Sequence, residues 1–110
     1  TDKIIVTALN QPKQFQIVLY TILSFQSQRK NIFTGEIYDV YRNMCKRCKF
    51  NVLTQRRLSD LLGELDMLGI INAKIISKGR YGRTREISLS LDEGTIAKLT
   101  ELIEKSLQLS

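Results

Sequence analysis

The sequence predicts a mainly α fold carrying one small β-hairpin, on three observations. Apolar residues recur at helical spacing in four separate segments. Between residues 70 and 91 that spacing gives way to alternation and short apolar runs, as strands require. The middle of this stretch, "ISKGRYGRTREI", holds two glycines suited to a tight turn. A chain of 110 residues, 43% hydrophobic and 25% charged, has the length and make-up of one globular domain with one core.

The elements follow in order. Residues 1–11 read as a linker from a preceding region that is absent here, because the chain opens "TDKIIV" without a methionine; residues 12–110 read as the domain. After Pro12, a natural first-turn residue, Phe15, Val18, Leu19, Ile22, Leu23 and Gln26 share one side of a helix running to about Ser27. A short extended link, "NIF", leads to Thr34 as an N-cap, and Ile37, Val40, Tyr41, Met44 and Cys48 then repeat at helical spacing. Thr54 opens a third helix whose buried stripe is Leu58, Leu61, Leu62, Leu65 and Leu68, with Gly69 placed for a left-handed stop. "IINAKIIS" and "TREISLSL" form the hairpin. Ser90 or Asp92 caps a last helix carrying Ile96, Leu99, Ile103 and Leu107, and "SLDE" has the spacing of a capping box.

Three helices followed by a two-stranded hairpin is the order of a winged helix-turn-helix, here with an additional C-terminal helix. In that arrangement the third helix enters the DNA major groove and the hairpin, the wing, reaches the neighbouring backbone or minor groove. The charge pattern agrees. The net charge of +6 is unevenly spread: +1 over residues 1–41, +6 over 42–57, −3 over 58–71, +4 over 72–91 and −2 over 92–110. Either basic block alone describes a solvated face, but the fold brings both to the surface a duplex would meet.

Within the wing, Lys78, Arg80 and Arg83 supply charge where phosphates would lie, and Gly79 and Gly82 allow close approach of the chain. Tyr81 lies against a sugar or folds back on its own hairpin. On the third helix, with the leucines inward, Arg56, Ser59, Asp60 and Gly63 project outward, Arg57 lies on the flank, and Thr54 and Gln55 complete the candidate recognition face. Arginine can take two acceptors of a guanine edge and aspartate can accept from a cytosine amino group. Arg56 and Asp60, four residues apart, equally describe a surface ion pair. Gly63 in mid-helix costs about 1 kcal/mol relative to alanine, so it calls for close approach to a ligand or a packing contact. Arg42, Lys46 and Lys49, opposite the apolar stripe of the second helix, form a phosphate-positioning surface.

"CKRC", Cys45 to Cys48, has the spacing of a metal or redox motif. The chain holds no further cysteine and no histidine, so four zinc ligands cannot be assembled from such residues in one chain. The pair also falls late in its helix, away from the N-terminus where a reactive thiol is expected, and reads as structural. No nucleophile-and-base grouping and no phosphate-loop spacing appears, so this stretch of chain reads as no enzyme, with no catalytic residue, metal or cofactor. No apolar run suits a membrane span or a secretory signal.

The run "LTQRRLSDLLGELDMLGIINAKIISKGRYGRTREISL", residues 53–89, closely resembles the C-terminal winged-helix domain of archaeal replication initiators of the origin-recognition-complex and cell-division-cycle helicase-loader family. "TGEIYDVYRNMC", residues 34–45, resembles the same family's second helix. "LDMLGIINA" followed by "KGRYGRT" is far more specific than a generic helix-turn-helix pattern. The resemblance implies that positions 54–63 and 78–83 touch double-stranded DNA at origin repeats. It also implies a preceding AAA+ ATPase region, with ATP and Mg in that parent only, and contacts to other initiator subunits or the replicative helicase through it. A monomeric fragment, cytoplasmic and nucleoid-associated, is the expectation. The competing readings are a transcription regulator, with residues 93–107 as a dimerisation helix, and a winged helix that binds protein.

Overall fold

A computed structural model describes residues 2–25, 32–77 and 83–107. Helix α1 (Asp2–Leu9) occupies the segment expected to be a linker. Its Ile5 and Ala8 are buried and Ile4 and Leu9 partly so, against helix α5 (Glu93–Leu107). Burying an isoleucine gains about 1.5–3 kcal/mol, which recruits this short segment into the core.

Helix α2 (Lys13–Phe25) starts as expected, with the Pro12 carbonyl accepting from the Gln16 N–H at 3.2 Å. A one-sided stripe was the expectation, but Gln16, Ile17 and Thr21 are buried as well as Val18, Leu19, Ile22 and Leu23. The reason is position: α2 is central, packed by α5 and by helices α3 (Thr34–Cys48) and α4 (Gln55–Met67). Its buried polar groups are satisfied. The Gln16 amide donates to the carbonyls of Leu9 (3.0 Å) and Gln11 (3.1 Å) and accepts from Ser106 Oγ (2.7 Å); Thr21 Oγ1 donates to the Ile17 carbonyl (2.9 Å).

The extended link is a strand. β1 (Ile32–Phe33) pairs antiparallel with β3 (Arg83–Leu89), which also pairs with β2 (Ile71–Ser77), giving a three-stranded sheet of order β1-β3-β2 where a two-stranded hairpin was expected. Ile32, Ile71 and Ile87 bring the inner face of the sheet into the core. Thr34 is the first residue of α3 and not its cap; the cap position is Phe33, whose N–H donates to Glu36 Oε1 at 3.3 Å. The Thr34 hydroxyl instead donates across to the Arg85 carbonyl at 3.4 Å.

At the start of α5 the two capping candidates separate. Asp92 Oδ1 accepts from the Thr95 N–H at 2.7 Å, and this bond holds the Asp92 carboxyl below its usual range. Asp92 is the cap, and the serine-to-glutamate box is not used. Thr95, Leu99, Ile103 and Leu107 bury the stripe of α5 against α1 and α2. The face that a dimerisation helix would offer is thus occupied within the domain.

Candidate nucleic-acid interface

The position of α4 is set before the helix begins. Tyr41, fully buried on α3, donates its hydroxyl to Gln14 Oε1 (2.7 Å) and accepts from the Leu53 N–H (3.2 Å), while Tyr38 donates to the Leu53 carbonyl (2.9 Å). Both backbone groups of Leu53 are therefore held by α3. The Gln14 amide fixes the same loop through the Asn51 carbonyl at 2.9 Å. Burial drives the Tyr41 phenol far above its ordinary pKa, so it stays a neutral donor.

Thr54 then caps α4 as expected, its hydroxyl accepting from the Arg57 N–H at 3.1 Å. Leu58, Leu61, Leu62 and Leu65 are buried. Leu68, expected in that stripe, is exposed, because the helix ends before it completes another turn. Gly69 takes φ 81°, its N–H donating to the Asp66 carbonyl (3.0 Å) and that of Ile70 to the Leu65 carbonyl (3.2 Å). This is the left-handed stop that the glycine predicted.

The outward face of α4 and the base of the wing enclose two open clefts. One, of about 550 Å³, is lined by Thr34, Gly35, Gln55, Arg56, Ser59, Ile75 and Arg85. Its neighbour, of about 460 Å³, is lined by Arg57, Ser59, Asp60, Gly63, Glu64, Met67 and Arg85. Six of the seven candidate recognition residues thus come together, and Thr54 serves as their cap. The first turn of α4 carries Arg56 and Arg57 and no acid. Cations there oppose the helix dipole, a cost of about 0.3–1 kcal/mol each at an exposed site, which an incoming anion would reverse. Asp60 pairs with Arg57 at 4.0 Å across exposed side chains, so the ion pair weighed for Arg56 goes to its neighbour. Such a pair contributes a few tenths of a kcal/mol.

Arg85 links the two clefts, and the sequence reading did not place it in the site. Its Nη1 donates to the Ser59 carbonyl at 2.6 Å. A Cβ at Gly63 would lie 3.6 Å from the same nitrogen, an ordinary contact, so Gly63 faces this guanidinium. The signal was available in strand parity, since residues 85, 87 and 89 share a face and Ile87 is core.

On α3, Arg42, Lys46 and Lys49 are exposed, but they lie further along the helix and line neither cleft. The Arg42 guanidinium carbon sits 6.0 Å from the Tyr38 ring centroid. Lys49 is left-handed at φ 61°, in a helix stop that bonds Lys49 N–H to the Lys46 carbonyl (3.3 Å) and Phe50 N–H to the Cys45 carbonyl (2.9 Å). Of the wing candidates, Lys78, Gly79, Arg80, Tyr81 and Gly82 lie outside the described residues; Arg83 opens β3 opposite Ser77.

Cys45 is buried and Cys48 half-buried, both as free thiols. Burial raises the pKa of each; a hydrogen bond with Tyr41 partly offsets this at Cys45, and the Arg47 charge does so at Cys48. They are packing groups with little thiolate at neutral pH. Among the described residues no group of metal-ligating side chains converges, and no helix is long and apolar enough to cross a membrane.

Comparison with known proteins adds to this geometry. Residues 7–99 match the family described as CDC6, C terminal winged helix domain. The chain is 50% identical over 93 residues to the ORC1-type DNA replication protein 1 of Methanosarcina acetivorans, covering 82% of this chain and 22% of that protein. Against the protein of the same name in Archaeoglobus fulgidus it is 46% identical over 101 residues, covering 92% and 25%. The solved structure of Aeropyrum pernix ORC1 in complex with DNA superposes with a TM-score of 0.86 at 31% identity, over 99% of this chain and 28% of that one. The Pyrobaculum aerophilum Cdc6p structure, at 20% identity and a TM-score of 0.72, shares the fold.

Proposed function

The chain belongs to the family of CDC6 C-terminal winged-helix domains, and from that premise we propose that it binds double-stranded DNA sequence-specifically at replication origins, as the C-terminal module of an initiator and helicase loader. One observation carries the reading. The first turn of α4, exposed and cationic at the positive end of its helix, opens on a cleft shared with Arg85 of the wing. That arrangement costs stability unless polyanion meets it.

In this reading α4 enters the major groove, with Arg56 the foremost base reader and Gln55, Arg57, Ser59, Asp60 and Gly63 around it. The wing, Lys78 to Arg83, follows the backbone or minor groove, and Arg42, Lys46 and Lys49 position phosphates. The fragment binds as a monomer, acting in the cytoplasm at the nucleoid. An AAA+ region using ATP and Mg, with contacts to other initiator subunits and the replicative helicase, belongs to the longer protein. Fluorescence anisotropy with origin repeats and with scrambled duplex, at stated salt, tests the reading. Tighter binding to the repeats is expected; equal affinity for both would leave only sequence-independent binding.

A further inference from the structure

We propose that Arg85 is a positioning residue that locks the wing to the reading helix, so that backbone contacts by the hairpin and base contacts by α4 fall in register; this rests on the DNA-binding reading above. The sheet packs tightly at its inner end, where Ile71 and Ile87 are buried. Four residues beyond Ile71 along β2, Ile75 is 58% exposed, so apolar packing no longer holds the hairpin there. Arg85 is the cross-strand partner of Ile75 at that level. Its side chain takes over the role of the missing core. Nη1 reaches the Ser59 carbonyl on α4 at 2.6 Å, while its own carbonyl accepts from Thr34 on α3 at 3.4 Å. One residue of the wing is therefore bonded to both helices of the helix-turn-helix. The only other hydrogen bond among the described residues from the hairpin to α4, Ala73 N–H to Asp66 Oδ1 at 3.4 Å, lies near the inner end of β2.

Gly63 completes the device. With no side chain at 63, the guanidinium lies against the outward face of α4; a methyl would touch it at 3.6 Å, and a longer side chain would take its seat. An arginine suits this place better than an apolar strut because Arg85 lines both open clefts and carries more N–H donors than its bond to Ser59 uses.

The test compares Arg85→Met with Arg85→Lys, which keeps a donor and the charge. In the free domain, 15N order parameters of the Lys74 and Glu86 amides should fall in Arg85→Met and recover in Arg85→Lys. With DNA, Arg85→Met should reduce the preference for an origin repeat over scrambled duplex about tenfold, with a smaller change on the scrambled duplex. Gly63→Leu, which displaces the guanidinium from the other side, should reproduce both effects and carries the test if Arg85→Met does not fold. Unchanged order parameters, with both duplexes weakened by one common factor, would make Arg85 a simple phosphate contact and overturn the proposal. Unchanged preference in Arg85→Met, where wild type does discriminate, overturns it alone. A wild-type domain without preference overturns the DNA reading first, and this proposal with it.

Discussion

The two ends of the domain use polar side chains in opposite ways. At the α1–α2–α5 end they bond helix to helix. Lys13 Nζ donates to the Ser106 carbonyl and hydroxyl at 2.8 and 2.7 Å, Ser106 donates to Gln16, and Tyr20 donates to Glu104 at 2.9 Å. At the α3–α4–sheet end the cations Arg42, Lys46, Lys49 and Arg56 stand exposed, while the neutral groups Tyr38, Tyr41 and Thr54 tether the start of α4 and Arg85 is the cation bonded to that helix from the sheet. The difference teaches where to look for function in a small basic fold. Charge bonded within the scaffold fixes geometry, and exposed charge beside a well-tethered helix is where a polyanionic partner would meet it.

The largest expected effect sharpens this contrast. If about five phosphates are neutralised, log affinity for duplex falls against log salt with a slope near −4 to −5, a loss of about 250-fold to 1,000-fold between 50 and 200 mM. Anisotropy titrations at four salt concentrations measure it; a flat response, or no binding at low salt, would break the assignment of the exposed cations to DNA. At the other end, Ile103→Ala in the buried stripe of α5 should cost about 2–5 kcal/mol in denaturant unfolding. Its affinity per folded molecule should stay at the wild-type value.

Arg56→Ala should narrow the gap between specific and scrambled duplex by about 1–3 kcal/mol, as for a lost bidentate base contact. Arg80→Ala and Arg83→Ala should instead weaken both duplexes by similar factors. If the wing changes alter sequence preference and the helix change does not, the two roles are exchanged. Tyr41→Phe leaves the Leu53 N–H and Gln14 Oε1 without their partner, at about 1–2 kcal/mol of stability. Since it also frees the start of α4, specific binding should fall further than unfolding alone accounts for.

The smallest effect is expected at Gly63. Alanine is the better helix former by about 1 kcal/mol, and its methyl would meet only the Arg85 guanidinium at contact distance. Gly63→Ala should therefore melt no lower than wild type and bind DNA more weakly. A mutant that binds as well as wild type would place this part of the α4 face away from the duplex.

What was legible in the sequence was whatever local chemistry decides. Thr54 as cap and Gly69 as stop bracket α4 because each acts within one turn of its own position. Leu68 misled because a heptad-like stripe continues in sequence after the helix has ended. Helix α1 was unreadable as such: eight residues give too little periodicity, and its apolar partners lie in α5, at the far end of the chain. β1, two residues long, exists through its pairing with Ile87 and Glu86. Most of the candidate face could be read from helical geometry. Arg85 was legible only through strand parity, which sets it on the face of Ile87; that its guanidinium meets the Ser59 carbonyl depends on tertiary packing of the sheet on α4.

The left-handed turn at Lys49 matters to anyone who would engineer this domain. Glycine fills the same backbone role at position 69, whereas at 49 a lysine holds it with a strain of about 1 kcal/mol. A screen for heat resistance would favour glycine there and would discard a cation of the proposed DNA surface in the same step. If Lys49 positions phosphate as proposed, stability and activity are set against each other at this one residue, and variants chosen for robustness need to be counter-selected on DNA.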